Sequence, residues 1–298
     1  MRLLAAIGAL WLFATALPAL AQLQVSAQTQ RSQFLLYERV DLLVTILNNS
    51  GTDILLDNNE GRPWLSFLLT RHTGPNYMPV RQERQASFQP LTIKAGETKI
   101  LKINLTPLFS FRSEGDYRAS AVIDLPGQDQ ILSDFVPFSV TTGQTLWSES
   151  RPVDGSQRTY SLIRFVPSSD RTEIFLRVED PSENIVYANI GLGEMVSLVT
   201  PEVFFDPEGN LHILHPFALG SYAYTRTDPD GKIQLQRVFK TAMEIPPRLH
   251  KMDDGNVIVL GGLEQNPDQP REKLSTGQVG ASQPSASGGP ATLPPMPQ

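Results

Sequence analysis

Apolar and polar residues alternate with a period of two along much of this chain, and that pattern predicts β-strands. Val40, Leu42, Val44 and Ile46 are apolar, with Asp41 and Thr45 between them. The turn cluster Asn48-Asn49-Ser50-Gly51 follows. Its residues tolerate tight bends, so Ile54-Leu55-Leu56 is expected to start the returning strand. Trp64 to Leu69 is a more continuous apolar run, as in a strand covered on both faces. The alternation resumes at Leu101, Ile103 and Leu105, at Tyr117, Ala119, Ala121 and Ile123, and at Val136, Phe138 and Val140. Pro137 lacks an amide for the ladder and predicts an edge strand. About seven short strands over 22–142 predict a β-sandwich.

From Leu146 to Leu263 the rhythm changes. Asp180-Pro181-Ser182-Glu183-Asn184-Ile185 recurs as Asp206-Pro207-Glu208-Gly209-Asn210-Leu211 and as Asp228-Pro229-Asp230-Gly231-Lys232-Ile233. A looser copy is Met252-Asp253-Asp254-Gly255-Asn256-Val257, and the starts lie 26, 22 and 24 residues apart. Pro presets φ at the second position of three copies, and Gly209, Gly231 and Gly255 supply positive φ at the fourth. Apolar runs flank each turn, so each period predicts one β-hairpin.

Two resemblances follow from these residues. Glu114-Gly115-Asp116-Tyr117-Arg118-Ala119 resembles the tyrosine corner of immunoglobulin-like domains, with Ala119 where a cysteine usually stands. Leu36-Tyr37-Glu38-Arg39-Val40 and Ile93-Lys94-Ala95-Gly96-Glu97-Thr98 look like the opening and the mid-domain turn of such modules in secreted bacterial proteins. The resemblance implies a disulfide-free immunoglobulin-like β-sandwich in which the Tyr117 hydroxyl bonds back to the preceding turn. The second zone resembles the hairpins of β-propeller blades. A blade takes about 40–50 residues and a ring needs about four blades, so this zone is too short to close a ring. It is expected to be a self-contained antiparallel domain of repeated hairpins. The alternative is a propeller fragment closed by a partner, which leaves strand edges exposed.

The N-terminus sets the compartment. Arg2, the apolar run Leu3 to Leu17 and the small residues of Pro18-Ala19-Leu20-Ala21 predict a signal peptide over 1–21. The protein is therefore expected to be periplasmic or secreted. The organisation expected is signal peptide 1–21, sandwich 22–142, hairpin domain 146–263 and a disordered tail 264–298. The tail has seven prolines and no aromatic residue, too little to offset chain entropy.

Composition narrows the chemistry. No cysteine occurs, which excludes disulfides, thiolate metal sites and cysteine nucleophiles. The net charge of −6 gives no electrostatic footprint for nucleic acid. No later apolar stretch approaches the length of a bilayer span. The aspartate turns do not make a calcium loop: with Gly231 at position six, Arg226 and Arg237 fall where ligands belong. No cofactor or metal is expected.

No nucleophile elbow or phosphate loop is present, so no catalytic residue is assigned. The leading expectation is a non-enzymatic binding or scaffolding protein of a bacterial envelope, with an envelope or extracellular protein, or a glycan, as partner. Phe217, Tyr222, Tyr224 and Arg226 form a candidate ligand or partner surface, since Tyr222, Tyr224 and Arg226 share one strand face. That surface is the basis of a carbohydrate-binding alternative. A hydrolase using His212, His215 or His250 with nearby carboxylates is a further alternative, and it requires these rings to converge on each other, or on an Asp or Glu, in a cleft. Tyr117, Gly209, Gly231 and Gly255 are expected to be structural.

Overall fold

The computed structural model describes residues 23–59, 61–125, 129–196 and 199–265, and every regular element among them is a β-strand. The signal peptide expected at 1–21 lies outside the described residues, as does the tail from 266 onward. Two compact units result, one ending at Thr142 and one beginning at Gly143.

The first unit holds β1 (Leu23–Thr29), β2 (Gln33–Leu35), β3 (Asp41–Asn48), β4 (Ile54–Leu56), β5 (Leu65–Thr73), β6 (Asn76–Pro79), β7 (Leu91–Ile93), β8 (Thr98–Asn104), β9 (Gly115–Ile123), β10 (Ile131–Leu132) and β11 (Val136–Thr141). One sheet has the order β1-β3-β8 and another β2-β11-β9-β5-β6, with β10 also on β9. Period-two side chains from both sheets meet in one core. Leu42, Val44 and Ile46 come from the first, and Phe67, Leu69, Ala119, Ala121 and Phe138 from the second. Trp64 is buried there, and its indole Nε1 donates to Gln89 O at 3.1 Å.

Three local expectations change. The strand Ile54–Leu56 does not return along β3 but pairs with β7 in a separate ribbon. Strand β5 is covered on one face only, because Leu68 points outward and is exposed. Strand β11 is flanked on both sides, antiparallel to β9 and parallel to β2. Its pairing with β2 starts at Ser139, so Pro137 occupies the stretch that β2 does not reach and its missing amide costs no ladder bond.

The second unit holds β12 (Gln144–Val153), β13 (Ser156–Ser168), β14 (Arg171–Asp180), β15 (Ile185–Glu194), β16 (Glu202–Phe205), β17 (Leu211–Ala218), β18 (Ser221–Thr227), β19 (Ile233–Lys240), β20 (Arg248–Lys251), β21 (Val257–Leu260) and β22 (Leu263–Glu264). These strands form small sheets in a propeller-like arrangement rather than one self-contained sheet. The orders are β12-β13-β14-β15, then β16-β17-β18-β19-β22, then the lone pair β20-β21. The last strand extends through Glu264, one residue past the expected domain end.

The middle sheet is buried on both faces. Leu211 and Ile213 pack with Tyr160, Leu162, Leu176 and Val178 of the first sheet. Leu214 and Tyr224 pack with Leu249 and Val257 of the β20-β21 hairpin. Double coverage explains why Leu211-His212-Ile213-Leu214-His215-Pro216 is buried throughout and shows no amphipathic alternation.

Three of the four repeated turns share one geometry. The amides of Gly209, Gly231 and Gly255 donate to the carbonyls of Asp206, Asp228 and Met252 at 2.9–3.1 Å. Aspartate side chains hold the returning amides: Asp206 Oδ1 accepts from Asn210 N, and Asp228 Oδ1 from Lys232 N, both at 2.8 Å. In the first copy, which lacks glycine, the positive φ of 54° falls one position later, on Asn184. The turn 228–231 is also docked on the first sheet. Tyr160 Oη donates to Pro229 O at 2.7 Å, and Arg158 pairs with Asp230.

Candidate interaction surface

One end of the middle sheet exposes apolar side chains at its turns. Leu219, between β17 and β18, is fully exposed, and Met243, after β19, is 95% exposed. Backbone geometry brings these turns together. Thr241 N donates to Gly220 O at 2.8 Å, and Lys240 of β19 pairs with Leu263 of β22. Ile245 and Leu263, both exposed, belong to the same cluster, since Ile245 abuts Gly261 at the start of the segment leading to β22.

The Met243 turn is conformationally strained. Met243 and Glu244 have φ of 48° and 65°, and Ala242 and Ile245 exchange backbone hydrogen bonds across them. A two-residue turn of this kind favours Asn-Gly. Methionine there gives up turn propensity and places an apolar side chain in water, a combination that folding alone does not favour.

The β20-β21 hairpin adds a second feature. Among the described residues β21 pairs with β20 only. Its sequence, Val257-Ile258-Val259-Leu260, has high β propensity, and Ile258 and Leu260 are exposed. Gly261 and Gly262, at φ of 75° and 67°, then turn the chain away to pair with β19, leaving the far edge of β21 open. An unpaired apolar edge is a template for another strand.

The residues singled out from sequence are distributed differently. Tyr222, Tyr224 and Arg226 do share one face of β18, facing Pro216, Leu214 and His212 across the ladder. That face is largely turned into the core. Tyr224 is only 6% exposed and its ring packs edge-on against Phe239. Tyr222 packs at the border of the same cluster, and Phe217 sits half-buried at the register shift before Ala218. Trp147 of β12 packs tilted against Phe205 at 6.2 Å.

His212 and His215 point to opposite faces of β17, as their partners Arg226 and Ala223 show. His250 lies in β20 and is exposed. The three rings therefore do not form one cluster. His212 instead links β18 to the turn that follows β16. Tyr224 Oη lies 2.8 Å from its Nδ1, and Asp206 Oδ2 lies 3.0 Å from its Nε2. One tautomer satisfies both contacts: Nε2–H donates to the carboxylate and Nδ1 accepts from the phenol. Burial pushes the Asp206 carboxyl up, but the Asn210 side chain, His212 and the Asn210 amide outweigh it and hold the carboxyl below its usual range. All three side chains are buried, so the chain of bonds works as a staple across β17, β18 and the turn that follows β16.

His215 is wholly buried, and neither ring nitrogen has a hydrogen-bond partner. Loss of hydration lowers its pKa to about 4, with the Glu194 backbone acting in the opposite direction. Among the described residues no group of three or more His, Asp or Glu is placed to hold a metal ion. In the first unit, Tyr117 is buried, stacks on Phe138 and donates from Oη to Ser113 O at 2.7 Å.

No periodic signal marks Leu219, Met243 or Ile245, because they lie between strands. The available signal is a large apolar residue inside a tight turn, where polar residues and glycine are expected.

No family model matches this chain, and no curated protein matches it. Among solved structures it is similar to the b-glucosidase EmGH1 from Erythrobacter marinus at 14% identity, over 40% of this chain and 15% of that one, with a TM-score of 0.28. It is also similar to Spo0M, a sporulation control protein from Bacillus subtilis, at 11% identity, over 56% of this chain and 83% of that one, with a TM-score of 0.29. Likeness at this level establishes no shared fold, and the chain spans well under two thirds of the first of these proteins.

Proposed function

We propose that this is an exported, non-enzymatic binding protein of a bacterial envelope that docks a partner protein through its second unit. The observation that carries the reading is the apolar end of the middle sheet, with Leu219 and Met243 in water, together with a β21 edge that no strand covers among the described residues. Large apolar side chains held in water are a cost to a free chain and a gain on association. The partner contributes an extended strand that lies along Val257 to Leu260, so backbone hydrogen bonds supply affinity and the apolar tips supply specificity. The partner thereby adds a third strand to a sheet that has two among the described residues.

We also read the first unit as a disulfide-free immunoglobulin-like sandwich. Parallel pairing of β2 with β11, and the bond from Tyr117 in β9 back to Ser113, support it. Export rests on the sequence of residues 1–21.

Site-directed photocrosslinking tests the docking reading. A photoreactive phenylalanine at Ile258 should crosslink in cells to a strand of one envelope protein, and Leu260→Lys should remove the adduct. The same probe at Ile100, exposed on β8, should give none. Equal labelling from both positions, or turnover of a substrate by the purified chain at an enzyme-like rate, would overturn the proposal.

A further inference from the structure

The first unit contains a cavity of about 400 Å³ beside the exposed strand β6, within the size range of small-molecule pockets. Its chemistry is uneven. Arg71 and Arg112 both line it, and the hydrogen bond that Arg71 makes is to a backbone carbonyl rather than to a carboxylate. Ser110 and Ser113 also line it and add hydroxyl groups. Met78 and Val80 form an apolar lip.

Arg71 is held in place rather than swinging in solvent. Its Nη2 donates to Glu114 O at 2.8 Å. Its Nε is buried without an acceptor and lies against Gly115, where an added Cβ would stand 3.2 Å away. Gly115 has a φ of 141° and leaves room for the guanidinium. Tyr117, itself anchored to Ser113, packs beside it and lines the same cavity. A fixed guanidinium with one edge already satisfied is pre-organised for an anion.

We propose that this cavity is a carboxylate-binding site. The lining carries two arginines and one carboxylate, Glu83, so its net charge suits a monoanion better than a phosphate dianion. The apolar lip suits a carboxylate carried on a short hydrocarbon stem. That group has two sources, a free organic acid or the C-terminus of an extended peptide lying along β6. This site is independent of the surface on the second unit, and its test does not involve that surface.

Titration calorimetry on the full chain decides it, with three probes: 4-phenylbutyrate, the peptide acetyl-Val-Thr-Val-Ala as free acid or amide, and inorganic phosphate. Phenylbutyrate should bind saturably with a Kd of about 1 mM or tighter. Arg71→Gln should weaken it at least tenfold, and Met78→Glu, at an exposed lip position, should abolish it with the thermal melt unchanged. Binding of the free-acid peptide but not its amide, stronger than phenylbutyrate, assigns the site to a chain terminus. Phenylbutyrate binding as tight as the peptide acid assigns it to free acids. No binding of either carboxylate, tighter binding of phosphate, or binding indifferent to both substitutions overturns the assignment.

Discussion

Gly231→Ala should destabilise the second unit far more than Gly209→Ala, although both glycines close the same kind of turn. Their φ values are 85° and 82°, so the left-handed strain added by alanine is equal, roughly 1–2 kcal/mol at each site. The surroundings differ. A Cβ at Gly231 would stand 2.6 Å from Ala188 Cβ and 2.8 Å from Val178 Cγ2, both in the first sheet. A Cβ at Gly209 meets only Pro229 Cγ, at 3.5 Å. Val178 is fully buried and the turn is pinned by Tyr160 and Arg158, so neither side can withdraw freely. Overpacking adds roughly 1–3 kcal/mol at Gly231 alone. The expected totals are about 2–5 kcal/mol for Gly231→Ala and about 1–2 kcal/mol for Gly209→Ala. At roughly 4 °C per kcal/mol, calorimetry of the full chain should separate the two variants by about 4–12 °C. Equal melting temperatures would refute the inference that this turn is wedged into the neighbouring sheet.

Three further outcomes follow from the same geometry. His215 has a folded pKa of about 4 against 6.5 unfolded, so the unfolded chain binds a proton that the folded chain refuses between those values. Stability should fall by about 2–3 kcal/mol from pH 7 to pH 4.5 in urea titrations, and His215→Met should flatten that slope. Tyr224→Phe leaves His212 Nδ1 buried without a donor, which should cost about 1–3 kcal/mol in the same titration. Leu219→Ser and Met243→Asn together should leave the melting temperature unchanged or higher, since both side chains are in water, while crosslinking through position 258 is lost.

Much of the fold was legible where one face of a strand meets a core. The alternations at Val40 to Ile46 and Tyr117 to Ile123 became β3 and β9 because only period two puts those side chains on one side. The aspartate–glycine turns were equally clear, since their residues are dictated locally by φ and by side-chain caps. Strands β6 and β12 were not legible. Asn76 to Pro79 is exposed at every position, and Gln144 to Val153 is exposed or half-buried throughout, so neither carries an apolar period. The separation of the hairpins into stacked small sheets was also hidden. It depends on β17 being covered on both sides, and a continuous apolar run says only that a strand is covered.

The candidate surface was less legible than the fold. Aromatic residues at Tyr222 and Tyr224 suggested a platform, yet the same residues fill the space beneath the β20-β21 hairpin. Sequence shows that two rings share a face and not which face is outside. The exposed Leu219, Met243 and Ile245 lie in turns, where no periodicity reports burial.

Hydrogen–deuterium exchange of the full chain, alone and bound to its crosslinked partner, tests the docking claim most directly. Slowed exchange should fall on residues 257–264 and on the turns at 219–221 and 242–245, with β12 to β15 unchanged. Protection confined to the first unit, or no change along β21, would contradict it.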